Sequence, residues 1–245
     1  TLPNLLAVAS STVTPQYQIR LVALTQFNNL LTKVPQLREI ISDSVLVEMC
    51  NMLVVCCKSE TSFNVVAILS AVVTAFSFSL QQEQLQWPGY IQTLFSLTQE
   101  PGLVQQCIAL NSLGKSTTHP DAQLILSHVS ELRTYLMRCL SSDCIELRME
   151  AITFLCNATG FIEKVEEGKK LNELYPLIAQ TLQQLISSNK ITEANHVLDD
   201  LQEMCSFSRH FFGPILATVS DNLMVICTSP LDESLRESAD RKSVV

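Results

Sequence analysis

The sequence predicts an all-α fold, a HEAT-repeat α-solenoid in which antiparallel helix pairs stack into a right-handed superhelix. Three observations support this prediction: one amphipathic helix pattern recurs, its period is about 40–47 residues, and signals for strands are scarce. The 245 residues include only six glycines, and no Val/Ile/Tyr alternation is bounded by Asn-Gly or Asp-Gly turns. Sheets are therefore disfavoured.

The clearest copy of the recurring pattern is the stretch 143–159. Asp143 is expected to cap a helix whose apolar residues fall on one side at a spacing of 3.6 residues per turn. These apolar residues are Leu147, Ala151, Ile152, Leu155 and Ala158. The helix also contains an Arg-x-x-Ala step, from Arg148 to Ala151, which can be followed along the rest of the chain.

The polar residue of that step recurs at intervals of 44, 42, 42, 47 and 41 positions. The residues concerned are Arg20, Asn64, Gln106, Arg148, Asn195 and Arg236. A period of this length with two helices per unit is typical of HEAT arrays. We therefore predict a single array of about six units over residues 1–245, which we expect to be a fragment of a longer arch. The approximate units are 1–35, 36–82, 83–118, 119–163, 164–209 and 210–245.

Each unit is predicted to contain an outer helix followed by an inner helix. Proline and glycine mark the connections, as at Pro35 and at Pro101-Gly102, because proline cannot continue a helix. The outer helices are predicted at 2–10, 45–57, 86–99, 121–140, 171–186 and 211–227. The inner helices are predicted at 15–32, 63–80, 103–113, 143–159, 192–205 and from 230 onwards. The charged stretch 161–170 is expected to be a solvated connector.

Residues 61–82 contain no charged side chain, and Glu60 immediately precedes them. A membrane span of about 20 residues has to be considered for such a run. Polar residues inside the run, such as Asn64 and Thr74, and the lack of basic flanks argue against a span. We favour a helix that is packed on both sides within the array.

The net charge of −8 disfavours nucleic acid as the main partner, because phosphate binding needs clustered Lys and Arg. The charge is uneven: residues 1–140 carry 8 acidic and 7 basic side chains, whereas residues 141–245 carry 16 acidic and 9 basic ones. A basic protein partner would be attracted to the second part of the chain.

No pattern in the sequence indicates an enzyme, a metal site or a cofactor. Gly114-Lys115-Ser116-Thr117 resembles the end of a phosphate-binding loop, but position 109 is Ala where that loop needs Gly. The four histidines are scattered, and the nine cysteines show no Cys-x-x-Cys pair. We interpret the cysteines as reduced core residues of a cytosolic or nuclear protein.

The candidate functional surface is acidic. Stacked inner helices would place acidic side chains on a concave wall that attracts Lys/Arg-rich segments, although a solvated helix face is an equal alternative. The candidate residues are Asp143, Glu146, Glu150, Glu193, Asp199, Asp200 and Glu203. By contrast, Arg20, Arg148 and Arg236 are expected to link neighbouring units through bonds to helix-cap carboxylates.

With this period, the Arg-x-x-Ala steps and the opening Gln86-Trp87-Pro88-x-x-Ile91-x-x-Leu94, the chain resembles the amino-terminal part of importin-beta (karyopherin-beta) nuclear transport receptors. It is most similar to the importin four/importin five branch, with the best match from Trp87 through Gly160 and a weaker one over nearly all 245 residues. The resemblance implies a nuclear transport receptor of the cytoplasm, nucleus and nuclear pore. It would bind the GTP-bound GTPase Ran, basic protein cargo and Phe-Gly nucleoporins.

Two departures from the family pattern concern Ran. The first inner helix carries Gln26-Phe27-Asn28-Asn29 where family members often have basic residues, and no long acidic loop is present. The alternative function is a HEAT-repeat scaffold subunit of a cytosolic enzyme or regulatory complex. Co-purification with a catalytic subunit, unaffected by Ran, would distinguish this alternative.

Overall fold

The computed structural model describes residues 2–10, 17–33, 37–117, 122–162, 168–207, 221, 223 and 224. These residues contain eleven α-helices and two short 3-10 segments, at Leu37–Glu39 and Gly168–Leu174. The α-helices are Leu2–Ser10 (α1), Tyr17–Leu31 (α2), Asp43–Ser59 (α3), Phe63–Gln82 (α4), Tyr90–Leu97 (α5), Leu103–Ser116 (α6), Ala122–Leu126 (α7), Val129–Leu140 (α8), Ile145–Ile162 (α9), Tyr175–Ser187 (α10) and Ile191–Phe207 (α11).

The chain divides into two compact units, one up to residue 121 and one from residue 122 onwards. In the first unit the inner helices α2, α4 and α6 pack successively on one another, while α1, α3 and α5 form the outer layer. In the second unit α9 packs on α11, and α8 packs on α10. The predicted arrangement of stacked helix pairs is therefore confirmed within each unit. The division into six repeats with the bounds given above stays a prediction.

The core of each unit is formed by the inward stripes of the helices. On α9 the five apolar residues of the recurring pattern are all buried, with at most 2% of any side chain exposed. In the first unit a chain of aromatic rings connects successive repeats: the Phe76 ring lies 6.2 Å from that of Phe27 and 6.0 Å from that of Trp87. Tyr90 continues this chain, with its ring 5.1 Å from that of Trp87.

Helix α4 accounts for the uncharged run. Among the described residues, it is the one helix that is long and apolar enough to cross a membrane. It packs between α2 and α6, and many of its apolar residues, such as Val65, Leu69 and Phe76, are fully buried. Packing on both sides explains why one helix is apolar around most of its circumference.

Four predicted helices begin differently in the structure. The helix predicted at 86–99 is Tyr90–Leu97, because Gly89 is its N-cap and Trp87 and Pro88 precede it. The predicted helix 121–140 is two helices, because the Ser127 hydroxyl donates to the Leu124 carbonyl at 2.6 Å and competes with the helix hydrogen bonds. The predicted helix 171–186 begins as a 3-10 segment, and its α-helical part starts where Pro176 can occupy the first turn. Asp143 does not cap α9, because the carbonyl that accepts from the Arg148 amide belongs to Cys144.

The spacing predicts a buried face on the first inner helix formed by Ile19, Ala23, Phe27, Leu30 and Leu31, and this prediction is wrong at two of the five positions. On α2, Ile19 and Leu30 are 44% and 40% exposed, whereas Ala23 and Phe27 are buried as expected. On α4, Asn64 and Ala67 are both exposed, so the recurring step was placed about half a turn too early in this helix. The sixth unit, with Arg236, lies outside the described residues except for 221, 223 and 224, which are helical.

Candidate functional site

A buried ion pair joins α2 to the connection between α3 and α4. Arg20 Nε donates to Glu60 Oε2 at 3.0 Å, and Arg20 Nη2 donates to Glu60 Oε1 at 2.7 Å. Glu60 Oε1 also accepts from the backbone amides of Thr61 and Ser62, each at 2.9 Å, where α4 begins. The prediction that Arg20 binds a helix-cap carboxylate is confirmed. A bidentate pair of this kind fixes both the distance and the relative orientation of the guanidinium and the carboxylate.

Glu60 is held ionised by these partners. Burial raises the pKa of its carboxyl group, but the hydrogen bonds from Arg20, Ser62 and Thr61 outweigh burial, and the net pKa lies below the ordinary value. The backbone carbonyl of Glu60 also accepts from Gln105 Nε2 on α6 at 2.7 Å. This one residue therefore contacts α2, α6 and the two residues that precede α4.

Arg148 occupies the corresponding place on α9 but has a different partner. Its Nη1 donates to the amide oxygen Oε1 of Gln184 on α10 at 2.5 Å. The prediction of a carboxylate partner is wrong for this residue, because no described acidic side chain pairs with it. Arg148 is 7% exposed, so the guanidinium is held within the second unit.

Five of the seven candidate acidic residues lie on the inner helices α9 and α11 with access to solvent, and one precedes α9. Glu146, Asp199 and Glu203 are exposed, and Glu150 and Glu193 are half-buried. Asp143 is exposed two residues before α9. The structure thus keeps these six carboxylates at the surface, which a role in binding requires. The binding itself stays a prediction.

Asp200, the seventh candidate, is buried. It is 7% exposed, and its Oδ2 accepts from the Thr153 hydroxyl on α9 at 2.8 Å. Burial raises the pKa of Asp200, and the charges of Glu203 and Asp199 act in the same direction, whereas Thr153 and His196 lower it. Asp200 therefore connects α9 to α11 and does not present a free carboxylate to a ligand.

An apolar groove of about 330 Å³ lies in the first unit, between α3 and the segment that leads from α4 to α5. Trp87 and Pro88 form one side, and residues of α3 form the other. The groove is lined by Asp43, Leu46, Val47, Cys50, Asn51, Leu80, Leu85, Gln86, Trp87 and Pro88. A volume near 300 Å³ with mostly apolar walls can hold an aromatic side chain. The Trp87-Pro88 pair was noted from the sequence, but the groove depends on packing against α3.

The described cysteines and metal-binding side chains do not form a reactive thiol site or a metal site. Six of the eight described cysteines are buried free thiols. Burial raises the pKa of Cys50 and Cys139 to about 11 and that of Cys56 to about 12, which disfavours the thiolate. No group of three metal-binding side chains occurs within the described part of the chain.

The resemblance of residues 114–117 to a phosphate-binding loop has no counterpart in the structure. Gly114, Lys115 and Ser116 continue α6 to its last turn, and Gly114 is buried. A phosphate-binding loop wraps backbone amides around the anion before a helix begins. Here the amides are used inside the helix, so the geometry does not fit nucleotide binding.

Comparison with known proteins identifies relatives. The family model described as IPO5-like, TPR repeats matches residues 63–221, which is more than half of the chain. No curated protein matches the chain in sequence. The links between successive repeats join residues 40, 45 and 47 positions apart, a spacing of HEAT units and longer than the 34 residues of a TPR unit.

Several solved structures share the fold. The chain is similar to Kap121p (TM-score 0.75, 16% identity), to Kap121p bound to Nup53p (0.75, 15%) and to Kap121p bound to RanGTP (0.73, 16%). Each similarity covers 98% of this chain but 22% of the solved chain. At this identity the likeness shows the fold, which is the all-α HEAT-repeat solenoid that the sequence predicts.

Proposed function

Since the chain belongs to the importin-beta family, among its IPO5-like members, we propose that it is part of a nuclear transport receptor that binds Ran, protein cargo and nucleoporins through its helical surfaces. The observation that carries this proposal is the family match over residues 63–221. Solved structures with the same fold contain Kap121p bound to RanGTP, to Nup53p and to Pho4p, which supports all three classes of partner. Such a receptor would move between cytoplasm and nucleus through the nuclear pore.

We assign cargo to the acidic surface of α9 and α11. Glu146 and Glu193 occupy the same register 47 positions apart, and Asp199 and Glu203 lie one turn apart on the exposed side of α11. Carboxylates repeated along neighbouring helices suit an extended segment rich in Lys and Arg. A Kap121p variant in which three acidic residues 43 and 42 positions apart are replaced by lysine has been solved, so acidic positions at repeat spacing also occur in that protein.

Charge reversal on α11 tests the cargo surface. We expect Asp199→Lys with Glu203→Lys to weaken binding of a Lys/Arg-rich cargo peptide about tenfold at low salt, since each exposed ion pair contributes up to about 1 kcal/mol. The salt dependence of binding should also become shallower. Asp200 is left intact because its substitution would disturb the contact between α9 and α11.

The matched control carries the same change in net charge on outer helices. Glu48→Lys with Glu131→Lys alters two exposed residues of α3 and α8 and should leave peptide affinity within twofold of the original. Fluorescence anisotropy of a labelled peptide measures both variants. Equal affinity of the two double variants would exclude the α11 carboxylates from the cargo surface.

We assign nucleoporin segments to the apolar groove beside Trp87. The groove lies on the outer layer, between α3 and the start of α5, and Val47 on its wall is 58% exposed. A phenylalanine side chain could bury its ring there against Leu46, Leu85 and Trp87.

Ran is assigned to the inner helices of the first unit, where the solvent side of α2 includes Gln26 and Asn29.

A further inference from the structure

Arg148 is a buried cation without a carboxylate partner among the described residues. Its side chain donates from Nη1 to Gln184, and its Nε, which is shielded from solvent, has no acceptor within the described part of the chain. An amide oxygen is neutral and leaves the charge of the guanidinium uncompensated. Removing a charge from water is costly unless an opposite charge is supplied. The site therefore favours an anion.

The first unit contains the same site with its anion in place. Arg20 and Arg148 are each the fourth residue of an inner helix. The residue 40 positions after Arg20 is Glu60, whereas the residue 40 positions after Arg148 is Ser188. Both residues begin a three-residue connection between an outer and an inner helix. The carboxylate that neutralises the first arginine is thus replaced by a hydroxyl at the second.

The position of Gln184 and Ser188 shows how a ligand could reach Arg148. Gln184, which accepts from Arg148, and Ser188 are both exposed at the end of α10, so an acceptor of the buried guanidinium is itself a surface side chain. Lys190, at the start of α11, is also exposed and adds positive charge to this connection. An entering anion would meet Lys190 at the surface and Arg148 below it. These two cations oppose the negative charges of three residues on the same two helices, Glu146, Glu150 and Glu193.

We propose that Arg148 is a receptor for a carboxylate group supplied by a bound ligand, either a free carboxylate or an acidic side chain of a polypeptide. The internal example of Arg20 with Glu60 shows that a carboxylate fits this position of the repeat and accepts from Nε as well as from a terminal nitrogen. The Arg148 site would bind a negatively charged group, whereas the proposed cargo surface would bind a positively charged one. The two proposals are therefore independent.

Sodium acetate provides the probe. In ¹⁵N NMR spectra of the whole chain, the Nε–H signal of Arg148, assigned by its loss in Arg148→Lys, should shift with acetate until it saturates. Sodium chloride at equal ionic strength should not shift it. The Nε–H of Arg20 is the internal control, because it already donates to Glu60 and should not respond to acetate.

Two outcomes would overturn the proposal. One is an Arg148 signal that does not move with acetate, or that moves no more than the Arg20 signal. The other is an undiminished acetate response in Ser188→Glu, where the new carboxylate beside Gln184 should compete and weaken acetate binding at least severalfold. A response to an acidic peptide that competes with acetate would assign the ligand to a polypeptide, and a response to acetate alone would assign it to a free carboxylate. Neither Ran nor cargo is involved, so failure here would leave the proposed function untouched.

Discussion

Glu60→Ala is expected to lower the free energy of unfolding by about 3–5 kcal/mol, because it leaves a partly buried guanidinium without its counter-charge. The side chains of Arg20 and Glu60 are only 14% and 4% exposed. The substitution also removes the acceptor of the Thr61 and Ser62 amides at the start of α4, which contributes a capping loss of about 1 kcal/mol within that total. Urea unfolding followed by circular dichroism measures the change.

The ion pair between Arg133 and Glu173 in the second unit is the matched control. Its side chains are 35% and 54% exposed. An exposed pair contributes about 0–1 kcal/mol, so Glu173→Ala should change stability by less than about 1 kcal/mol. If the two alanine variants lost the same stability, burial would not be what makes the link of Arg20 with Glu60 strong.

The effect of Glu60 should depend on pH in a defined direction. Its pKa in the folded chain lies below the ordinary value of 4.5, so its contribution is fully present above about pH 4.5 and is lost as the pH falls through the lower folded value. The stability difference between the original chain and Glu60→Gln should therefore be constant from about pH 7 to 5 and shrink at lower pH. A difference that grew on acidification would contradict the assigned charge state.

Phe76→Ala should cost about 3–5 kcal/mol of stability, since it removes a fully buried aromatic side chain and leaves a cavity. Phe76 has no exposed surface, and its ring meets those of Phe27 and Trp87 edge to face, at interplanar angles of 62° and 74°. Because these rings belong to successive repeats, the substitution should destabilise the whole first unit and not only α4. The fluorescence of Trp87, the single tryptophan, should change as well.

Phe78→Ala provides the control for this substitution. Phe78 lies two residues further along α4 and is 37% exposed, so its removal should cost less than half as much as that of Phe76 and should leave Trp87 fluorescence unchanged. Urea unfolding and fluorescence spectra measure both variants. A small effect of Phe76→Ala would mean that the aromatic chain does not hold the repeats together.

The sequence was sufficient for features that one helix carries by itself. The apolar stripe of α9 and the placement of Arg20, Gln106, Arg148 and Asn195 on inner helices follow from spacing alone, because helical periodicity fixes which side chains share a face. The expectation that Arg20 links two units through a carboxylate was likewise correct.

Features that depend on two helices could not be obtained in this way. In the sequence Asp200 stands next to Asp199 and three residues before Glu203, so it looks like one of the exposed acidic residues of α11. Only the rotation of α11 against α9 brings its carboxylate to the Thr153 hydroxyl. Arg148 was expected to behave like Arg20, but its partner depends on which residue follows α10. The exposed position of Asn64 also reflects the packing of α4 between two neighbours, which hydrophobic periodicity does not specify in a helix that is apolar on most sides.

Binding of Ran tests the central claim most directly, since the account makes this chain part of an importin-type receptor. The full-length protein should be immobilised and exposed to Ran locked with GTP and, separately, to Ran bound to GDP. We expect retention of the GTP-bound form and at least a hundredfold weaker retention of the GDP-bound form, a difference of about 2.7 kcal/mol. Equal binding of both forms, or binding of neither together with stable co-purification of an enzyme's catalytic subunit, would contradict the account and favour a scaffold.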